Sequence, residues 1–378
     1  MDNGNMQYKK FGNTGIEISK LGFGAMRFPY KDGKVDRDQS VEMLHTALDG
    51  GVNYVDSAPF YCDGDSETVV GEAVSCYKGK RPYLSTKYPT EEAAKPGDIR
   101  RRLESSLKKL QADAVDFYHF WGINWDTFEN KIIKYNLLDE IRKIKEEGLI
   151  RHISFSFHDS PDKMIEIIKQ GDGIFESVLC QYNLLDRANE EAIAYAAAAG
   201  MGVVIMGPVA GGRLGAPSEN IRSMIQGTNS TAEIALRFVM SNENVSCALS
   251  GMSTLEQVKE NLRVASDSSP LTAEELQAVK EVMTEKKKLA ELYCTGCNYC
   301  TPCPKGVNIP KNFELMNIHK IYGLTEFARQ EYALFGSDQW HEGKPADACV
   351  DCGACETKCP QHLKIREQLR ETAVALGV

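Results

Sequence analysis

Two tight runs of cysteine near the C-terminus constrain this chain more than any other feature of its sequence. They contain eight of its twelve cysteines. The runs read Cys294-x2-Cys297-x2-Cys300-x2-Cys303-Pro304 and Cys349-x2-Cys352-x2-Cys355-x3-Cys359-Pro360. Four thiolates at this spacing, followed directly by proline, are typical of segments that bind cubane iron–sulfur clusters, because short spacers let one loop reach three corners of a cubane. The sequence therefore predicts two [4Fe–4S] clusters.

Zinc and disulfides are the alternative interpretations of these cysteines. Zinc usually takes its four ligands as two separated pairs. Disulfides need an oxidising compartment, and the polar residues 1–12 lack the apolar stretch of a signal peptide. Where two cubanes share a chain, the fourth cysteine of a run binds the other cluster. We therefore expect one cluster on Cys294, Cys297, Cys300 and Cys359, and the second on Cys349, Cys352, Cys355 and Cys303.

Apolar runs of strand length alternate with helical patterns through the first two thirds of the chain. The predicted strands are 21–28, 52–58, 82–88, 115–121, 150–157, 177–184, 202–206 and 245–251. Between them lie helices such as 99–110, where apolar residues recur every three or four positions. Eight strands each followed by a helix predict an α/β fold of the (β/α)8 TIM barrel type. A hairpin over 8–18 is expected to close the barrel bottom.

A second domain is predicted after the barrel. A break at 266–270 precedes a charged helix over 271–292 that leads into the first cysteine run, and 312–322 and 325–335 also have helical patterns. We expect residues 1–290 to form the barrel and 291–378 a small, mainly helical ferredoxin-like domain.

The net charge of −9 argues against a nucleic-acid partner, which needs a basic face. No apolar run is long enough to cross a bilayer, so no membrane association is expected. These features predict a protein of the reducing cytoplasm.

In barrels of this type the chemistry lies at the C-terminal ends of the strands. Asp56 lies near the end of the second predicted strand, Tyr61 follows that strand, and Lys87 lies near the end of the third. A lysine ammonium near a phenol lowers the pKa of the phenol, and an aspartate keeps the lysine charged and oriented. We expect Tyr61 to donate a proton to a carbonyl oxygen at neutral pH. Singly, Asp56 could instead cap a helix and Lys87 pair with a surface acid.

From about Tyr8 to Ala265 the chain resembles the aldo-keto reductases. The resemblance rests on Lys10-Phe11-Gly12-Asn13-Thr14-Gly15, on Leu21-Gly22-Phe23-Gly24, and on Leu103-Glu104-Ser105-Ser106-Leu107-Lys108-Lys109-Leu110 followed by Asp116-Phe117-Tyr118. It implies a (β/α)8 barrel and reversible hydride transfer between a nicotinamide and a carbonyl or alcohol. The tail resembles the helical two-cluster modules carried by some bacterial members of that family.

The resemblance implies that Asp56, Tyr61 and Lys87 are three of the four catalytic residues of the family. The fourth is a histidine at the end of strand four that helps orient the substrate oxygen, and here Trp121 stands in its place. His119 lies two residues earlier and therefore on the same face of the strand. It either reaches the pocket from deeper in the barrel, as a catalytic residue, or is a core histidine with a buried partner.

The resemblance also implies NAD(P)H as a cofactor. The expected contacts are Ser156, Gln181, Asn183, Met206, Gly207, Pro208, Gly212, Leu214, Gly251, Ser253, Gln257 and Asn261. Gln181 and Asn183 match the contacts to the nicotinamide amide, whereas the segment 207–214 resembles the loop over the pyrophosphate. The glycines of this segment could equally be required only by the backbone conformation of the barrel loops, without any role in cofactor binding. Gln257 replaces an arginine often used for a 2′-phosphate, which leaves NAD and NADP both open.

Two functional hypotheses follow. In the first, the chain is an oxidoreductase that transfers hydride between NAD(P)H and a small carbonyl or alcohol, while its clusters exchange electrons with a ferredoxin or another redox protein. In the second, it is an electron-transfer or redox-sensing protein whose barrel is a docking scaffold. A third possibility keeps the hydride transfer of the first hypothesis but gives the clusters a purely structural role.

Overall fold

The structure, a computed structural model, describes residues 6–90, 95–267, 270–294, 298, 300–338, 340–359 and 362–377. The chain divides into two compact units. The first comprises Met1–Pro208 and Ala235–Leu271, and the second comprises Val209–Ile234 and Thr272–Val378.

Eight parallel strands form a closed barrel in the first unit, which confirms the predicted fold. In chain order the barrel strands are β3 (Leu21–Gly24), β6 (Tyr54–Asp56), β7 (Tyr83–Tyr88), β8 (Val115–Ile123), β9 (Ile150–Phe157), β10 (Ser177–Gln181), β11 (Gly202–Met206) and β12 (Cys247–Gly251). Each strand pairs with its neighbours in the order of the sequence, and β12 closes the barrel on β3. The helices between them are Arg37–Asp49, Ser66–Cys76, Asp98–Leu110, Leu137–Glu146, Pro161–Gln170, Glu190–Ala198, Thr231–Met240 and Leu255–Asp267.

Two short hairpins accompany the barrel. Strands β1 (Tyr8–Lys10) and β2 (Glu17–Ser19) form the predicted N-terminal hairpin. The connection between them places Phe11 in an aromatic cluster with Tyr54 and Phe117, whose ring lies 5.0 Å from that of Phe11. The sequence did not predict the hairpin of β4 (Tyr30–Lys31) and β5 (Lys34–Val35). The first predicted strand, expected over 21–28, ends at Gly24, and the hairpin follows from Tyr30.

The second unit is mainly helical, as predicted. Its helices are Ala273–Tyr293, Ile309–Lys320, Thr325–Ala333 and Ile365–Leu376, with the short helix Glu219–Arg222 from the earlier segment. Buried apolar residues on the later helices, among them Ile309, Leu315 and Leu369, form its core. The segments that carry the cysteines connect these helices. No helix in the described part of the chain is both long and apolar enough to span a membrane.

Candidate functional site

Asp56 and Lys87 form a buried ion pair at the ends of neighbouring strands. Nζ of Lys87 lies 2.6 Å from Oδ2 of Asp56, and each side chain is only 1% exposed. The second carboxylate oxygen accepts a hydrogen bond from Oγ of Ser85 at 2.8 Å, and Nζ of Lys87 also donates to the carbonyl oxygen of Ser57 at 2.8 Å. Buried charges persist only when they are paired and hydrogen-bonded, and both conditions are met here. The structure thus brings these two expected site residues together and adds Ser85, which shares a strand face with Lys87 and which the sequence argument did not name.

Tyr61 lies in the turn after β6, with its ring centroid 4.6 Å from Nζ of Lys87. The next two residues, Cys62 and Asp63, have φ values of 52° and 55°. Such left-handed conformations are uncommon outside glycine and indicate local backbone strain. The hydroxyl of Tyr30 donates to Oδ2 of Asp63 at 2.9 Å, so the unpredicted hairpin helps fix the turn that carries Tyr61.

The protonation states of this site follow from burial and charge together. Burial raises the pKa of Tyr61, and Lys87 opposes this effect without overcoming it. The sequence argument named only the lysine, whereas burial is the larger influence. Burial alone would lower the pKa of Lys87, but Asp56 and Tyr61 outweigh it and raise that pKa above its usual value. At neutral pH the site therefore combines a protonated phenol with a charged ammonium.

His119 and Trp121 differ sharply in their surroundings. His119 lies beside Lys87 in strand register and is fully buried. Neither of its ring nitrogens has a hydrogen-bond partner among the described residues. Burial lowers the pKa of His119 to about 4, with Lys87 adding to the effect and Asp56 opposing it. The ring of Trp121 instead meets the ring of Tyr61 edge-on at 5.6 Å. The residue that borders the phenol is thus the tryptophan.

The two residues expected to contact the nicotinamide amide differ in how many of their hydrogen-bonding groups are already paired within the protein. Oδ1 of Asn183 accepts from the backbone N–H of Leu185 and Asp186 at 2.9 and 3.0 Å, and its Nδ2 donates to the carbonyl oxygen of Gly207 at 3.1 Å. Asn183 therefore stabilises two loops. Gln181 is exposed, and its Nε2 donates to Asp186 at 3.2 Å.

Four other expected cofactor residues lie at or directly after strand ends. Oγ of Ser156 accepts from the backbone N–H of Gly122 at 2.7 Å. Met206 ends β11 in register with Gln181 and is partly exposed, and Pro208 follows Gly207, whose φ is +61°. These positions fit a flat ring bound at the ends of β10 and β11.

The residues expected at the adenosine end lie at the end of β12, in the turn after it and on the helix Leu255–Asp267. Oε1 of Gln257 accepts from the backbone N–H of Ser253 at 2.7 Å, and Oγ of Ser253 donates to the carbonyl oxygen of Arg27 at 2.9 Å. Nδ2 of Asn261 donates to Oγ of Ser250 at 3.0 Å. A Cβ atom on Gly251 would lie 3.2 Å from Cγ of Arg27, so the side chain of Arg27 packs closely on this strand end.

Gly212 and Leu214, the remaining expected cofactor residues, belong to the second unit. They lie in the turn Ala210–Gly215, where Gly212 has a φ of +104° and Leu214 is buried. Arg213 between them pairs with Glu314 at 3.1 Å, and its guanidinium carbon lies 5.8 Å from the ring centroid of Phe327. This loop is therefore anchored to helices of the cysteine-bearing unit. A pairing across a hundred residues leaves no local sequence signal.

Four of the eight clustered cysteines line one cavity in the second unit. Cys303 from the first run meets Cys349, Cys352 and Cys355 of the second run there. We call this the cysteine cavity. Its donor set fits a cubane, which needs four thiolates spread over separate iron atoms. The described residues include no group of three or more His, Cys, Asp or Glu side chains arranged around a single metal ion.

The other four clustered cysteines are not among the described residues that line this cavity. Cys294, Cys300 and Cys359 are partly exposed. Cys297 lies outside the described residues. The proposed ligand set of the first cluster therefore stays a prediction.

Comparison with known proteins assigns both parts of the chain. Residues 20–284 match the aldo/keto reductase family, and residues 293–363 match the 4Fe-4S dicluster domain. L-galactose dehydrogenase from Arabidopsis thaliana is 25% identical over 309 residues, which cover 75% of this chain and 96% of that protein. The aldo-keto reductase YhdN from Bacillus subtilis is 31% identical over 199 residues, covering 50% and 57% of the two chains.

A solved structure supports the same assignment. The holo form of aldo-keto reductase AKR11C1 from Bacillus halodurans superposes with a TM-score of 0.62 at 27% identity, covering 73% of this chain and 96% of that chain. The family match extends over more than half of the chain and includes Asp56, Tyr61 and Lys87. This chain therefore belongs to the aldo/keto reductase family, and its barrel is followed by a 4Fe-4S dicluster domain.

Proposed function

We propose that the barrel transfers hydride between NAD(P)H and a small carbonyl or alcohol, with Tyr61 as the proton donor and acceptor. The buried pair of Lys87 and Asp56 under the Tyr61 ring carries this proposal. A buried ion pair often stabilises a fold no more than a well-packed pair of apolar residues would, so the presence of this pair beside a phenol favours a catalytic role.

The proton step follows from the charges of the site. In the direction of reduction, the carbonyl carbon accepts a hydride and its oxygen takes the proton of the Tyr61 hydroxyl. The resulting phenolate is stabilised by the ammonium of Lys87, which Asp56 keeps charged and oriented. The nicotinamide, when bound, supplies the hydride. The phenolate then regains a proton from solvent.

The substrate side of Tyr61 is aromatic. The ring of Trp121 lies 5.6 Å from the rings of both Tyr61 and Phe60, and Phe60 is 47% exposed. These side chains provide a flat apolar surface in place of the second polar group that the family histidine supplies. We therefore expect substrates whose carbonyl carries an apolar or aromatic substituent.

For the second unit we propose electron exchange with a ferredoxin or another redox protein, in a reducing cytoplasm where thiolate-bound clusters persist. A nicotinamide delivers two electrons together, whereas each cubane accepts one, so both clusters together would match one hydride.

We propose a domain boundary near residue 290, because the match to the aldo/keto reductase family ends at residue 284 and the match to the dicluster domain begins at residue 293.

The presence of Trp121 at the place of the family histidine favours a second candidate. In that case the barrel would be a docking scaffold, and the chain an electron-transfer or redox-sensing protein. Nicotinamide binding distinguishes the two candidates, since a scaffold has no need of it.

The experiment uses anaerobically purified protein with its clusters intact. Titration with NADH and NADPH, followed by nicotinamide fluorescence, should show binding that Gln181→Ala weakens at least tenfold. Absence of binding by either nucleotide would favour the second candidate.

Turnover tests the proton donor. Tyr61→Phe should abolish reduction of a panel of aromatic and aliphatic carbonyls while leaving nucleotide affinity nearly unchanged. Tyr77→Phe is the matched control, because it removes a surface hydroxyl that donates to Asp49. Turnover retained by Tyr61→Phe would exclude the phenol as the acid.

A further inference from the structure

The cysteine cavity has a one-sided distribution of charge. Besides its four thiols, two charged side chains line it, Lys305 and Arg366, and both are positive. No carboxylate is among the described residues that form its wall. A cubane with four thiolate ligands is anionic, and reduction adds one further negative charge. A cation at the wall therefore favours the reduced state.

The guanidinium of Arg366 is held in place by Glu356. Its Nε and Nη2 lie 3.0 and 2.8 Å from Oε2 of Glu356, and the backbone N–H of Arg366 donates to Oε1 at 2.9 Å. Arg366 lines the cavity, whereas the carboxylate that holds it does not. The positive member of this pair is thus presented to the thiolates.

The same guanidinium packs on the loop that carries three of the cysteines. A Cβ atom on Gly353 would lie 3.6 Å from Cζ of Arg366 and 3.8 Å from its Nε. Nη1 of Arg366 also lies 3.5 Å from the carbonyl oxygen of Asp351. Gly353 follows Cys352 and has a φ of +76°, a conformation that glycine adopts without strain, so glycine allows the turn on which the guanidinium packs.

We propose that Arg366 raises the reduction potential of the cluster held by Cys303, Cys349, Cys352 and Cys355. Protein charges and hydrogen bonds around a cluster are established determinants of its potential. This inference rests on the proposed function, because it requires the clusters to assemble. Arg366 lies outside the residues 293–363 that match the dicluster domain, so the cysteine pattern alone does not specify it.

The test is a redox titration of the anaerobic holoprotein followed by electron paramagnetic resonance. Arg366→Gln should lower the reduction equilibrium constant of one cluster by roughly three- to tenfold, which is ~30–60 mV for a one-electron couple. The other cluster should shift less. Arg366→Lys keeps the charge and should recover most of the loss.

Arg370→Gln is the matched control. It removes the same charge one turn later on the same helix. Arg370 pairs with Asp351 and is not among the described residues that line the cysteine cavity. Equal shifts in the two Gln variants, or no shift in Arg366→Gln, would overturn the inference because a general charge effect would then suffice.

A second variant keeps the test valid if Arg366→Gln fails to assemble this cluster. Glu356→Gln removes the carboxylate while the guanidinium keeps its charge, so the potential of the same cluster should rise. An unchanged or lower potential would contradict the role of Arg366. Wild-type protein that is free of iron after oxygen-free purification would refute the electron exchange proposed for the second unit, and this outcome is seen before any titration.

Discussion

The charge state of His119 leads to a prediction with a defined magnitude. The ring is fully buried beside Lys87, and burial lowers its pKa to about 4 from the usual value of about 6.5. At ~1.36 kcal/mol per pH unit, this difference corresponds to roughly 3 kcal/mol against the charged imidazole. His119 is therefore neutral at pH 7, and it acts there as an uncharged member of the barrel interior.

The sign of the pH dependence follows from this difference. Because the pKa of His119 in the folded protein lies below its value in the unfolded chain, its stabilising contribution is complete above pH 6.5. The contribution is lost as the pH falls from 6.5 towards 4. Between pH 7 and pH 5 the free energy of unfolding should fall by roughly 2 kcal/mol through this residue alone.

The comparison with His119→Leu isolates this contribution. Urea unfolding of both proteins at pH 7 and pH 5 gives the difference in unfolding free energy, in which effects of acid on the clusters cancel. Nuclear magnetic resonance of isotope-labelled histidine rings measures the pKa directly, since the signal of His119 is the one missing from the variant. A titration midpoint near 6.5, or the same pH dependence in both proteins, would refute the argument.

Two further predictions concern the ion pair and the cysteine cavity. Lys87→Met should lower the free energy of unfolding by about 3–5 kcal/mol, because it leaves the buried carboxylate of Asp56 without its partner. Thermal unfolding should show partial recovery in the double variant with Asp56→Asn, and equal losses in the single and double variants would contradict the coupling. Cys303→Ala should remove about four iron atoms per chain and one of the two paramagnetic signals. Cys76→Ala, which changes an exposed cysteine, should leave the iron content unchanged.

Much of the barrel was predictable because its signal is local. Each strand is a short apolar run between helical patterns, and the rule that chemistry lies at the strand ends selects Asp56 and Lys87 directly. The hairpin Tyr30–Val35 was missed, because strands of two residues have no alternating pattern to detect.

The properties that sequence reasoning missed depend on burial and on contacts between residues that are distant in the sequence. Whether Lys87 or burial dominates the pKa of Tyr61 depends on how deeply the phenol lies, which no motif records. Likewise, Asn183 matches a cofactor contact by position, yet its side chain is bonded to loop backbone. Only the structure shows that these hydrogen-bonding groups of Asn183 are already paired within the protein.

The anchored segment Val209–Ile234 limits how this protein can be shortened. A chain ending at Leu271 would retain every barrel strand, yet it would lack the side chain of Glu314 that pairs with Arg213 and the carbonyl of Tyr322 that accepts from Ser218. The glycine-rich turn would then be free to adopt many conformations, and ordering it again would cost conformational entropy. Removing the residues after Leu271 would therefore also release a segment that precedes the last barrel strand in the chain.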